Sequence, residues 1–142
     1  MPQTVEQALS QAQFYSDGVA YAFIQLPATA ITAAAGVLAE IGQPFAALIV
    51  DKDEVSLVIA KDQFEEYARR MPGHAQNAVV YRLITIDVVL EPDLVGFMAF
   101  VSAALAKAGI TLMPFAAFSR DHLLVPSDKF DAAMQVLETL RT

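Results

Sequence analysis

Apolar runs broken by short polar clusters set the rhythm of this chain, and their period switches between helical and alternating several times. Thr4 to Phe14 reads as a helix, with Thr4 as N-cap and Gln7 at the capping-box position. Asp17-Gly18 is a turn, Val19 to Leu26 an apolar strand, and Pro27 its stop. The alanine-rich run Ala28 to Ile41 predicts a second helix, ended by Gly42 at the C-terminal cap position. Phe45 to Val50 and Val55 to Ala60 flank Asp51-Lys52-Asp53-Glu54, which is the spacing of a β-hairpin. Asp62 then caps a polar helix, Gln63 to Arg70, and Pro72-Gly73 closes it.

The same order returns in the second half. Val79 to Leu90 predicts a strand with Ile84, Ile86, Val88 and Leu90 on one face. Glu91-Pro92-Asp93 is a turn, and Leu94 to Ala108 a helix ended by Gly109. Ile110 to Phe118 and His122 to Val125 form a second hairpin around Ser119-Arg120-Asp121, and Asp128 caps a last helix, Lys129 to Leu140. Gly42 and Gly109 end the first helix of their halves. The segment Leu57 to Phe64 lines up with Leu123 to Phe130 at a spacing one residue shorter, the difference falling in the hairpin.

This repeat predicts an α+β protein of two tandem ferredoxin-like βαββα(β) units, residues 1–78 with the N-terminal helix and residues 79–142. Parallel pairs need a crossover helix, so each sheet should be mixed, largely antiparallel, with helices packed on it. A last strand for the first unit comes from around Val79, or the units exchange terminal strands; both remain open here. Leu94 to Ala108 is apolar almost all round, which predicts burial on a second side by the other unit or another subunit.

Composition narrows the classes. Of 142 residues 56% are hydrophobic, which excludes disorder. A net charge of -7 and a pI near 4.6 argue against nucleic-acid binding, which rests on excess Lys and Arg. Without cysteine there are no disulfides, thiolate zinc sites or thiol nucleophiles. Gly18 to Glu40 and Leu94 to Ser119 are long and poor in charge, but Pro27, Gly36, Gly109 and Pro114 interrupt them and the first run has no basic flank. With no basic n-region either, the expectation is a soluble cytoplasmic protein without membrane contact.

Leu83-Ile84-Thr85-Ile86-Asp87, Glu91 to Phe97, Leu105 to Ile110 and Asp121 to Val125 together resemble the ACT-domain family of small-molecule-binding regulatory modules. The whole chain resembles stand-alone bacterial proteins with two tandem ACT-like units, similar in turn to aspartate kinase regulatory units and CASTOR-type amino-acid sensors. The resemblance implies an amino acid held between a strand–helix loop and the second strand of a neighbouring unit. Carried onto this chain, the contacts are Glu91, Pro92, Asp93, Leu94, Val95, Gly96 and Phe97, with Met113 on the second strand. The chemistry is sound on its own terms. Amides at a helix start favour a carboxylate, Gly96 admits close backbone approach, and Asp93 accepts from an ammonium group or serves as N-cap. The matching loop of the first half, Leu26 to Ala30, has no acidic residue, so ligand is expected at the second loop.

Other constellations carry less. Ser119, Asp121 and His122 hold the types of a hydrolase triad, but neighbours on a strand point to opposite faces. Asp51, Asp53 and Glu54 lack the glycine of a calcium loop, and Glu65, Glu66, Arg69 and Arg70 form a charged helix face. No phosphate loop or dinucleotide fingerprint is present, and no metal or cofactor is expected. The reading is a non-catalytic, allosteric regulator or sensor that binds a small molecule, an amino acid, at a unit or subunit interface, as a homodimer with a regulated protein partner. The alternatives are a ligand-free assembly module and an enzyme using Asp87, Glu91 and Asp93.

Overall fold

A computed structural model describes residues 2–41 and 44–141, so the expected stop at Gly42 lies outside the described residues. In chain order the elements are α1 (Val5–Gln11), β1 (Gln13–Tyr15), β2 (Ala20–Pro27), α2 (Ile31–Ile41), β3 (Ala47–Val50), β4 (Glu54–Ala60) and α3 (Lys61–Tyr67), which runs into a 3-10 turn, Ala68–Arg70. They continue with β5 (Ala75–Gln76), β6 (Tyr81–Asp87), α4 (Phe97–Lys107), β7 (Met113–Ala116), β8 (Asp121–Pro126), a 3-10 turn Ser127–Lys129, and α5 (Phe130–Thr139). The protein is α+β. Among the described residues no helix is long and apolar enough to cross a membrane.

Two units emerge, and their boundary differs from the expected one. Val19–Tyr81 forms a mid-chain unit, while the chain up to Gly18 joins the chain from Arg82 onward in a terminal unit. The N-terminal helix therefore belongs with the second half. The reason is local. The capping box does form, since the Thr4 hydroxyl accepts from the Gln7 N–H at 3.1 Å and Gln7 Oε1 from the Thr4 N–H at 2.9 Å. The helix then stops at Gln11, with Ala12 already extended, instead of running to Phe14. The next three residues become β1, antiparallel to β6 with Phe14 opposite Ile86. Ala8, Leu9, Ala12 and Phe14 are buried in one cluster with Ile84, Ile86, Leu123 and Val125.

Within the terminal unit the strand order is β1-β6-β8-β7, with β7 and β8 antiparallel. Alternation decides the faces. Ile84 and Ile86 of β6 and Leu123 and Val125 of β8 meet Phe97, Val101 and Leu105 of α4 and Ala133 and Leu137 of α5. Each fully buried large side chain contributes roughly 1.5–3 kcal/mol. On α4 the inward face is Phe97, Val101 and Leu105, while Phe100 stays 51% exposed.

The mid-chain unit has the order β5-β2-β4-β3. β2 and β4 pair antiparallel from Tyr21 opposite Ala60 to Pro27 opposite Glu54, so Pro27 is the last strand residue. Ala22, Ile24 and Leu26 alternate inward with Val55, Leu57 and Ile59, against Ala34 and Val37 of α2 and Phe64 of α3. Its outer strand is β5, at Ala75–Gln76 and not near Val79, opposite Ile24 and Gln25.

Several helix starts also move. α2 begins at Ile31, because Ala28 to Ala30 form a turn closed by the Ala30 N–H on the Pro27 carbonyl. Asp62 sits inside the first turn of α3, whose cap is Ala60, and Asp128 lies in the 3-10 turn before α5, whose cap is Lys129. Acidic first-turn residues suit the helix dipole as well as an N-cap would, and sequence alone does not separate the two.

Candidate functional site

The terminal unit opens a cleft of about 440 Å³ between the loop leading into α4 and the β7–β8 hairpin. Two elements make it. β6 ends at Asp87, three residues before the expected Leu90, and the chain turns back with the Leu94 N–H on the Glu91 carbonyl at 3.0 Å. Gly96 then takes φ +88° and serves as the N-cap of α4. A Cβ built there meets nothing within 4 Å, so the position requires glycine for its backbone angle and not for close approach. The hairpin is tied to this loop by the Leu90 N–H on the Ser119 carbonyl at 2.8 Å.

Of the residues expected at a site, Glu91, Pro92, Leu94, Gly96 and Phe97 line the cleft. Asp93, Val95 and Met113 do not. The helix starts at Phe97 and not at Leu94, so Asp93 is no cap and lies exposed in the preceding turn. Val95 is 87% exposed. Met113 stands opposite Leu124, which alternates away from the helix-facing Leu123 and Val125, so it lies on the other side of the sheet.

The hairpin supplies residues that the sequence did not assign to the ligand site: Ala117, Phe118, Ser119, Arg120 and Asp121. Asp121 shares the alternation of Leu123 and lies at the cleft, where burial pushes its carboxyl above the usual range against a smaller pull from His122. Arg120 is held by Asp87, Nε to Oδ1 at 3.1 Å. Glu91 is held by the N-terminus of the chain, its Oε2 accepting from the Gln3 N–H at 2.9 Å. At the far wall, Phe97, Met98 and Ala99 precede the first bond of α4, which runs from the Phe100 N–H to the Gly96 carbonyl at 3.0 Å. Amides at that position have no acceptor within their own helix.

His122 takes no part in a triad. It lies on the opposite face from Asp121, with Nδ1 2.9 Å from Thr85 Oγ1, and burial draws its pKa down. Asp51 Oδ1 accepts from the Asp53 and Glu54 N–H groups at 2.8 and 2.9 Å, which closes the acidic hairpin as a hydrogen-bonded turn. Among the described residues no three His, Asp or Glu side chains gather as a metal site. The mid-chain unit has its own groove of about 300 Å³, but on the strands, at Phe23, Gln25, Glu54 and Gln76, and not at a helix start.

Residues 79–139, which carry this loop, helix and hairpin, match the family model of the ACT domain. That segment is similar to an ACT domain. No curated protein matches the sequence significantly. Solved structures similar to the chain include a Vibrio cholerae protein of unknown function, described as a possible transport protein, at 20% identity and a TM-score of 0.75 over 97% of this chain and 96% of that one. The aspartate kinase regulatory subunit of Thermus thermophilus in its ligand-free form matches at 17% identity and a TM-score of 0.67, over 92% and 98% of the two chains. An Agrobacterium tumefaciens protein matches at 21% and 0.67, over 87% and 84%. At these identities the likeness is one of fold. The ACT-domain match begins at residue 79, so α1 and β1 are parts of the terminal unit that it does not cover.

Proposed function

We propose that this protein is a non-catalytic regulatory or sensor protein whose ACT domain binds an amino acid in the cleft between the 90–97 loop and the 116–121 hairpin. The observation that carries the reading is the pairing of opposite chemistries across that cleft. The amide end of α4 suits a carboxylate, and the half-buried Asp121 suits an ammonium group. Asp121 thus takes the role expected of Asp93. The ACT-domain match and the fold shared with aspartate kinase regulatory subunits support a regulatory role.

The two units are read as tandem ferredoxin-like units. The orders β5-β2-β4-β3 and β1-β6-β8-β7 support this, as do the matching angles at Ala60 (φ -55°, ψ 137°) and Pro126 (φ -56°, ψ 139°) at equivalent repeat positions. A cytoplasmic homodimer with a regulated partner completes the proposal. A thermal-shift screen over the common amino acids tests it, with one or a few raising the melting temperature in a concentration-dependent way. A flat screen removes the amino-acid reading. It would favour a ligand-free assembly module, for which the exposed Val95 (87%) beside the cleft and Phe118 (104%) on its wall already speak.

A further inference from the structure

The charged groups around the cleft are unequal, and that inequality selects among amino acids. Arg120 lines the cleft, but its guanidinium is paired with Asp87 at 3.1 Å. Glu91 lines it too, but its carboxylate accepts from the Gln3 backbone at 2.9 Å. A ligand side chain that recruited either would have to dissolve an existing charge-assisted contact, which offsets what it gains. Asp121 remains for the ligand ammonium group. Apart from Ser119, the remaining side chains that line the cleft are apolar, among them Leu90, Leu94, Met98, Ala117 and Phe118. Leu94 and Met98 are half-buried and pack on the core, so this part of the wall is held in place.

We infer that the ligand is an amino acid with an uncharged, apolar side chain, selected by this wall. The inference rests on the amino-acid reading of the cleft and adds the class of side chain. A charged side chain would lie against mainly apolar side chains and would have to compete with the contacts that hold Arg120 and Glu91, which disfavours it. Leucine, isoleucine, methionine or phenylalanine would instead cover the wall and displace its water.

Titration calorimetry of the full chain with leucine, isoleucine, methionine and phenylalanine, and with lysine, arginine, aspartate and glutamate, separates the outcomes. The expected result is that at least one of the first four binds, at least about tenfold tighter than any of the second four. Its heat-capacity change should be negative, the mark of apolar burial. Tighter binding of a charged amino acid overturns the side-chain assignment and leaves the amino-acid reading standing. No binding by any of the eight, nor by any other common amino acid, overturns both. Phe118→Ala provides a second readout that folding does not confound, because this side chain is fully exposed. It should weaken the preferred apolar ligand by about tenfold at an unchanged ligand-free melting temperature; unaltered affinity means that the wall does not select the ligand.

Discussion

Gln3 and Glu91 hold each other by two hydrogen bonds of 2.9 Å, the Gln3 N–H to Glu91 Oε2 and the Glu91 N–H to Gln3 Oε1. A third contact, Gln3 Nε2 to the Val89 carbonyl at 3.0 Å, extends the clasp. One turn of chain before α1 is thereby stitched to the loop that forms the cleft. Gln3→Ala keeps the backbone bond and loses both side-chain bonds, which at this exposed position should lower stability by roughly 0.5–1.5 kcal/mol. Its larger effect should be on ligand affinity, because Glu91 and its loop lose their support. Equal ligand affinity in Gln3→Ala and the parent, by calorimetry, would leave the clasp with a structural role only.

Gly96 gives a second prediction. At φ +88° an alanine is strained by about 1–2 kcal/mol, although its methyl group would meet no atom. Gly96→Ala should therefore lower the urea midpoint, with Gly96→Val lower still. If the loop relaxed into a right-handed conformation instead, the valine variant would be as stable as the parent.

Phe14 tests the unit boundary. It is buried in the terminal unit's core and pairs through β1 with Ile86. Phe14→Ala should cost about 3–5 kcal/mol, a large part of the stability of a typical domain. Amide exchange should then rise in β6 and β8. Were the N-terminal segment part of the first half, as its place in sequence suggests, the loosening would appear in β2 and β4.

That boundary shows where sequence reading stops. Alternation placed Ile84 and Ile86 on one face, and the spacing of polar clusters found both hairpins, because periodicity and turn chemistry are local. The three residues of β1 carry no period of their own, and only pairing with β6, about half the chain away, makes them a strand. The same holds for the cleft. The 91–97 loop was legible through its proline and glycine, whereas Asp121 joins it only because the Leu90 N–H reaches the Ser119 carbonyl. Asp93, placed at a helix cap by sequence, lost that position when Gly96 adopted a left-handed angle that no side-chain pattern announces.

His122 and Asp121 make the pH dependence of stability two-sided. Burial lowers the His122 pKa below its ordinary 6.5, so the unfolded chain binds the proton first and stability falls as pH drops below that value. Burial raises the Asp121 carboxyl above its ordinary 3.8, so its ionisation withdraws stability as pH rises through the elevated value. His122→Gln, with an amide that can still meet Thr85, should flatten the decline in melting temperature between pH 7 and pH 5. An unchanged slope would assign that decline to other groups.

Asp121 and Asp93 together decide the chemistry of the cleft. Asp121 lies at the cleft among the hairpin residues, while Asp93 stands exposed in the turn before α4 and does not line the cleft. Asp121→Asn preserves shape and removes the charge that would face a ligand ammonium group. Hydrogen bonds to charged groups contribute about 1.5–3 kcal/mol, so affinity for the amino acid that shifts the melting temperature should fall roughly ten- to a hundredfold. The ligand-free protein should gain a little stability at neutral pH, since a carboxylate strained by burial is gone. Asp93→Asn should bind like the parent. Calorimetry on the two variants gives the answer: a loss confined to Asp93→Asn would return the ammonium site to the strand–helix loop, and a loss in neither would remove carboxylate recognition from this cleft.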